Sequence, residues 1–249
     1  MAGHSKWANI KHRKGRQDAK RSKVWSKCSR AIIVAAKNGG GDPAMNLTLR
    51  YAIDDAKSHN MPKDTIAKAI EKGSGGGDGA DYEQLVYEGY GPNGVAVMLD
   101  ILTDNRNRTA SELRKVFEKS GGNLGASGCV AYNFEKKGEV YIEKAHAEEE
   151  ALMDLALEAG AEDIDGDDEA WYLTCPPDSF DDVKAALDGA GIQTVSASIN
   201  MVAGTTVACE GKDAEQVLRL IENFEDHDDV QKVFANFEIS DEEMARIEG

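Results

Sequence analysis

Apolar residues along the first 72 positions recur at the spacing of an α-helix. Val24, Cys28 and Ile32 follow one another at intervals of four, which places them on one face, while most intervening positions are basic or polar. Three consecutive glycines at positions 39–41 interrupt the pattern. The pattern predicts a helix over residues 18–38 that packs along one stripe and exposes the rest.

Two further helices are predicted before position 73. Asp42 and Pro43 are typical of a helix start, because aspartate caps free N–H groups and proline fits the first turn. Pro62 opens the third helix, and Gly73 is placed to end it. The buried stripe of the second helix is expected to contain Met45, Leu49, Ala52, Ile53 and Ala56. Residues 1–72 are therefore interpreted as a basic all-helical domain, and the glycine-rich residues 73–79 as a linker.

Beyond the linker, short apolar strands alternate with helices. Residues 80–136 are expected to form a hairpin, a helix over 109–120 and a strand over 128–134. Residues 137–203 follow the order strand, helix, strand, strand, helix, strand, which is ferredoxin-like. The strand, helix and strand of residues 204–249 are expected to return to the first α/β unit. The predicted fold class is α+β and multi-domain: a three-helix domain and two ferredoxin-like α/β domains, the third inserted in the second.

Charge divides the chain in two. The first 37 residues hold eleven Lys and Arg against the single acid Asp18, about +10, whereas the whole chain carries −16 and the remainder therefore about −26. A basic N-terminal segment followed by an acidic remainder is typical of a protein that binds a polyanion through one part of its chain. Nucleic acid is therefore the expected partner. The alternative is a solvated helix face that balances the acidic body.

Catalytic and metal-binding patterns are not evident in the sequence. The five histidines fall on separate predicted elements, the four cysteines are far apart, and the acidic run at 163–169 lacks calcium-loop spacing. Adjacent acids such as Asp228 and Asp229 are expected to diverge rather than face each other. We therefore expect no enzyme activity, no cofactor, no metal, no small-molecule substrate and no membrane span, and a cytoplasmic location.

Two polar segments are further candidates for binding. Residues 104–109 place Arg106 and Arg108 at a helix entrance, where they suit phosphate, or where Asn and Thr cap the helix while the arginines pair with nearby acids. Glycine-rich residues 121–128 allow close approach of backbone to a ligand, or form a turn with positive φ angles. Both alternatives stay open in each segment.

Four segments of the chain resemble the YebC/PmpR family: MAGHSKWANIKHRKGRQDAKRSK, NMPKDTIAKAIEKG, YEGYGPNGVAVMLDILTDNRNRTASELRK and GGNLGASGCVAYNF. The resemblance implies a helical N-terminal domain followed by two α/β domains around a cleft, and a protein without catalysis or a required cofactor. Bacterial members are described as DNA-binding transcriptional regulators, and also as translation factors at the ribosome. Similar mitochondrial proteins are described as translational activators.

The resulting prediction is a nucleic-acid-binding regulator of gene expression. Duplex DNA and ribosomal RNA both remain possible partners, and a protein-interaction scaffold is a third hypothesis. Trp7 either stacks on a base or anchors its segment by packing. The predicted nucleic-acid-binding residues are Lys6, Trp7, Lys11, His12, Arg13, Lys14, Arg16, Lys20, Arg21, Lys23, Lys27, Arg30, Arg106 and Arg108.

Overall fold

The computed structural model of the 249-residue chain describes residues 18–75, 82–167 and 169–248. Three helices come first: α1 (Asp18–Gly39), α2 (Leu47–Ser58) and α3 (Lys63–Gly73). The elements that follow are β1 (Glu83–Tyr90), β2 (Ala96–Thr103), α4 (Arg106–Lys119), β3 (Asn123–Leu124), β4 (Phe134–Glu143), α5 (Glu149–Glu158), β5 (Asp163–Gly166), β6 (Ala170–Cys175), α6 (Phe180–Gly189), β7 (Ser196–Ala203), β8 (Val207–Ala208), α7 (Gly211–Glu225), β9 (Val230–Ala235), β10 (Phe237–Glu238) and α8 (Asp241–Glu248). None of the helices in the described ranges has the length and apolar character that crossing a membrane requires.

The three helices build a core of their own. Ile32 and Leu49 are fully buried in it, and Trp25 packs against its edge while its Nε1 donates to the carbonyl of His59 at 3.1 Å. The core residues all come from this helical domain: Cys28, Ile32, Ile33, Ala35, Ala36, Leu49, Ile53, Ala56, Met61, Ile66 and Ala69. Most of the apolar residues of α1 therefore pack against its two neighbouring helices, whereas Val34 is buried outside this cluster.

The start of α2 differs from the prediction. Asp42 accepts a hydrogen bond from the backbone two residues on and forms a turn, and the helix is capped by Asn46 instead. The Asn46 side chain accepts from Leu49 N at 3.1 Å and donates to Ala35 O at 2.8 Å. Because this buried amide fixes the loop, Met45 points outward and is 84% exposed, so its predicted burial was wrong.

The first sheet has the strand order β3-β1-β2-β9, with antiparallel neighbours. Helices α4 and α7 pack together through Phe117 and Phe224, whose ring centroids lie 4.6 Å apart. Gly89 on β1 permits this packing, because a Cβ there would lie 2.7 Å from the Phe117 ring. The strand β9 follows the second sheet in sequence but pairs with β2, so the chain returns to the first sheet as expected.

The second sheet has the order β5-β6-β4-β7, and all its neighbours are antiparallel. Together with α5 and α6 this is the ferredoxin-like arrangement. By contrast, the chain enters the first sheet through two consecutive strands, β1 and β2, before its first helix. The predicted α+β, multi-domain fold class is confirmed.

The described chain divides into two compact units. One contains Tyr132–Thr206, and the other contains the helical domain, the first sheet and the chain from Val207 onward. The strand expected over 128–134 was wrong, because residues 131–133 form a single 3₁₀ turn and β4 begins only at Phe134. The exact domain bounds given above stay a prediction.

Candidate nucleic-acid interface

Three of the predicted nucleic-acid-binding cations on α1 already have partners within the chain. Lys23, Lys27 and Arg30 lie at helical spacing on one face, which we call the α1 stripe. Lys23 Nζ donates to the carbonyl of Asp226 at 2.9 Å, and Lys27 Nζ donates to the carbonyl of Glu225 at 2.5 Å. These are the last carbonyls of α7, where the helix leaves acceptors unpaired and presents the negative end of its dipole. The stripe therefore docks α1 on the end of α7.

The docking costs Lys27 part of its hydration. Burial lowers the pKa of Lys27 to about 8, although the carboxylate of Glu225 opposes the shift. Lys23 remains about half exposed, and its ammonium lies 3.9 Å from the carboxylate of Asp228. Such an exposed ion pair contributes little to stability, because water and salt screen it. The two lysines thus differ: Lys27 is partly desolvated and Lys23 stays in contact with solvent.

Asp229 is the centre of the contact. Its Oδ1 accepts from Arg30 Nη1 at 3.1 Å, and its Oδ2 accepts from Arg108 Nη2 at 2.8 Å. The Thr109 hydroxyl lies 2.7 Å from the same Oδ2, and the Thr103 hydroxyl 3.2 Å from it. The Asp229 side chain is only 8% exposed. One buried carboxylate therefore joins α1, the end of β2 and the start of α4.

The protonation of this cluster follows from its hydrogen bonds. Burial would raise the pKa of Asp229, but the hydrogen bonds from Arg108 and Thr109 outweigh it and hold the pKa below its ordinary value. His227 Nδ1 accepts from the Asp229 N–H at 3.1 Å, so a neutral ring carries its proton on Nε2, which lies 3.0 Å from Glu112 Oε2.

A metal ion does not fit this cluster well. Glu112, His227 and Asp229 bring three potential ligand atoms together. Both histidine nitrogens are used in hydrogen bonds, and two guanidinium groups already neutralise the aspartate. We therefore assign the three residues to hydrogen bonding within the docking contact.

An open cleft of about 610 Å³ runs beside the contact. On the α1 side it is lined by Lys23, Ser26 and Arg30. The facing residues are Tyr82, Asp104, Arg108, Glu112, Asp226, His227, Asp228 and Asp229. The cleft is thus lined mostly by polar and charged side chains, with more acids than bases among them.

The segment 104–109 has a structural role in part. The helix α4 begins at Arg106, three residues earlier than predicted, and Asn105 caps it by accepting from Arg108 N at 3.1 Å. Arg108 pairs with Asp104 at 2.9 Å as well as with Asp229, and both hydrogen bonds raise the pKa of the guanidinium. Arg106 is exposed, and the structure records no ion pair for its side chain within the described residues.

The glycine-rich loop of residues 121–131 is closed by a second buried carboxylate. Glu88 on β1 accepts from the N–H groups of Gly128 at 2.6 Å, Val130 at 2.8 Å and Ala131 at 2.8 Å. Burial would raise the pKa of Glu88, but these three hydrogen bonds lower it overall. Because the chain's own carboxylate fills this cluster of donors, the donors are not available to a phosphate.

The remaining predicted residues lie at the N-terminal end. Lys6, Trp7, Lys11, His12, Arg13, Lys14 and Arg16 lie outside the described residues. Lys20 and Arg21 belong to the first turn of α1 by their backbone. Among the described members of the predicted set, Lys23, Lys27, Arg30 and Arg108 lie together at residues 225–229. Asp229, which binds both arginines, is not a member of the predicted set.

The fold and the contact together define a multi-domain α+β protein whose basic helical domain docks on an acidic α/β domain. Residues 5–76 match the family model described as the TACO1/YebC protein N-terminal domain, and residues 82–237 match the model of the TACO1/YebC second and third domain. The chain belongs to the TACO1/YebC family, which confirms the resemblance drawn from the sequence.

Relatives cover the chain almost completely. A probable transcriptional regulatory protein of Geobacter sp. (strain M21) is 51% identical over 247 residues, which cover 99% of this chain and 100% of the relative. A protein of the same description from Natranaerobius thermophilus is 53% identical over 98% of this chain and 99% of its own length. The crystal structure of a conserved hypothetical protein from Aquifex aeolicus matches with a TM-score of 0.80 at 46% identity, covering 90% of this chain and 93% of that one.

Proposed function

We propose that the protein regulates gene expression by binding nucleic acid through its basic N-terminal segment and the first turns of α1. The charge division carries this proposal, because about +10 is concentrated in 37 residues of a chain with a total of −16. The relatives named probable transcriptional regulatory proteins support regulation as the outcome. Duplex DNA is accordingly the first candidate partner, and the protein acts in the cytoplasm.

The docking of α1 favours a second candidate, structured RNA of the ribosome. A helix-turn-helix joins its helices by a turn of about four residues and leaves the second helix free to enter the major groove. Here residues 40–46 separate α1 from α2, and Lys23, Lys27 and Arg30 face the end of α7. RNA recognised by shape and phosphate contact does not need a free recognition helix.

We infer that the protein is not an enzyme. Burial raises the pKa of Cys28 to about 12 and of Cys175 to about 11, and it also raises the pKa of Cys129 and Cys209. Such thiols stay protonated and are poor nucleophiles. The cysteines therefore do not favour nucleophilic catalysis, in agreement with a binding role.

The proposal is tested by competition. Purified protein is incubated with ribosomes and excess duplex DNA at physiological salt, and its distribution is measured by sedimentation. The test variant reverses Lys11, Arg13, Lys14 and Arg16 to Glu. The matched control reverses four exposed lysines elsewhere, Lys63, Lys68, Lys115 and Lys119.

Binding that the test variant abolishes and the control retains supports the proposal, and the partner that retains the wild-type protein identifies the function. Equal binding by the wild type and the test variant contradicts the proposed site. Absence of binding to both ribosomes and DNA contradicts the function.

A further inference from the structure

We propose that the acidic end of α7, residues 225–229, is an internal competitor of nucleic acid. In this proposal the phosphates of the ligand replace it on the α1 stripe, so that binding separates α1 from α7. The inference rests on the proposed function and specifies how its site is regulated. It assigns to Lys23, Lys27 and Arg30 a phosphate-binding role that is blocked in the docked state.

The oxygens that contact the α1 stripe resemble phosphate oxygens as acceptors, because they take hydrogen bonds from charged lysine and arginine groups. Each of the three cations meets an anionic or partially negative oxygen of residues 225–229, at 2.9 Å for Lys23, 2.5 Å for Lys27 and 3.1 Å for Arg30. Phosphate oxygens make the same charge-assisted hydrogen bonds with lysine and arginine. A nucleic acid strand can therefore compete for these cations without any change in α1 itself.

The docking contact between the α1 stripe and residues 225–229 consists of polar groups that can exchange partners when α1 separates from α7. The core of the helical domain contains only residues of that domain, and the cleft beside the contact is lined mostly by polar groups. The recorded hydrogen bonds that join α1 to residues 225–229 are polar, so phosphate oxygens or water can take the place of their acceptors.

Separation of α1 from α7 leaves no buried charge without a partner. When Arg30 leaves, Asp229 keeps its hydrogen bonds to Arg108 at 2.8 Å and to the hydroxyl of Thr109 at 2.7 Å. Lys27, whose pKa burial lowers to about 8, regains its hydration. The large penalty for removing one partner of a buried ion pair is thus avoided.

The first test removes two of the three acids of residues 225–229 that lie outside the buried cluster, and it keeps Glu225. The double variant Asp226→Asn, Asp228→Asn keeps Asp229 and the carbonyls in place. The matched control is Glu149→Gln, Glu150→Gln, which makes the same change of net charge at exposed positions of α5 in the other unit. Affinity is measured for a short RNA hairpin and for a duplex DNA with the same number of phosphates.

We expect the test variant to bind its preferred probe about fivefold more tightly than the control does, since it loses the Lys23–Asp228 ion pair and two negative charges beside the α1 stripe. Equal affinities of the two variants would overturn the inference.

A second measurement follows opening directly. Hydrogen exchange of the backbone amides of residues 222–230 is compared in the free protein and at saturating probe. We expect exchange in this segment to become at least about threefold faster on binding, because the end of α7 loses its partners on α1.

Saturated binding without faster exchange overturns the inference while the proposed function stands. If neither probe binds the wild-type protein or either variant, the proposed function itself fails, and this inference fails with it.

Discussion

Glu88 and Asp229 are both buried carboxylates, yet they are satisfied in opposite ways. Glu88 accepts three backbone N–H groups from one short segment, residues 128–131. Asp229 accepts from side chains on three different elements, with Arg30 and Arg108 supplying the charge. Backbone donors cannot be exchanged without unfolding the loop, whereas a side chain can rotate away. The first carboxylate therefore fixes a loop, and the second joins parts that can separate.

The largest loss of folding stability is expected for a substitution of Glu88. Replacing Glu88 by Gln puts an amide NH₂ next to backbone donors, so at least one buried N–H loses its acceptor. We expect a loss of about 3 kcal/mol in the free energy of unfolding, measured by urea denaturation. Glu83→Gln, at an exposed position of the same strand, is the control and should change stability by less than about 0.5 kcal/mol.

Acidification tests the same carboxylate without a mutation. The pKa of Glu88 is lowered in the folded state, so its stabilisation is complete above the unfolded value of about 4.3 and is lost as pH falls through the folded value. The wild type should therefore lose more stability on acidification than Glu88→Gln. Parallel pH profiles for the two proteins would contradict the role of the charge.

The second largest loss of folding stability is expected for a substitution of Asp229. The substitution Asp229→Asn removes the negative charge that binds both Arg30 and Arg108. It also places an amide NH₂ next to groups that donate hydrogen bonds. We expect a loss of about 2 kcal/mol, smaller than at Glu88 because Arg108 is 42% exposed and can turn to solvent. Asp228→Asn, whose side chain is 69% exposed, is the control. A larger loss at Asp229 than at Glu88 would reverse the comparison.

The sequence predicted most of the fold, because periodicity and turn residues are local signals. The three helices and the ferredoxin-like order follow from hydrophobic spacing, and the return of the last strands follows because the ferredoxin-like unit is complete without them. The failures lie where a side chain from elsewhere decides the local structure. Asn46 sets the start of α2 in place of Asp42, and Glu88 binds the backbone that was expected to form a strand over 128–134.

The candidate site was less predictable. Basic residues on α1 indicate a polyanion partner, but the same cations suit a helix end and a carboxylate equally well. The group that each cation binds cannot be read locally, because Arg30 and its acceptor Asp229 lie almost two hundred positions apart in the sequence. An isolated acid among apolar residues, such as Glu88 in β1, is the one local signal that could have pointed to a buried carboxylate.

The third prediction measures how strongly α1 is held by Asp229. A double-mutant cycle with Arg30→Met and Asp229→Asn should give a coupling free energy of about 1.5 kcal/mol, because both side chains are largely buried, at 14% and 8% exposure. The corresponding cycle with Arg108→Met should give a smaller value, since that guanidinium is more exposed. Urea denaturation of the single and double variants supplies the numbers. Coupling near zero for Arg30 would mean that Asp229 does not hold α1.

The smallest effect is expected at Lys27 and depends on pH. Burial lowers the pKa of Lys27 in the folded protein to about 8, below its ordinary value of 10.5. Between these two values the unfolded chain binds a proton that the folded chain does not, so stability should rise with pH in this window.

Relative to Lys27→Met, the wild type should therefore gain up to about 1 kcal/mol between pH 8 and pH 10, measured by urea denaturation at several pH values. Lys115→Met, at an exposed position of α4, controls for the general effect of removing a lysine, and its difference from the wild type should stay constant. A wild type that loses stability relative to Lys27→Met over the same interval would show that Lys27 contributes through its charge, and the docking of α1 would then resemble the fixed contact at Glu88 more than an exchangeable one.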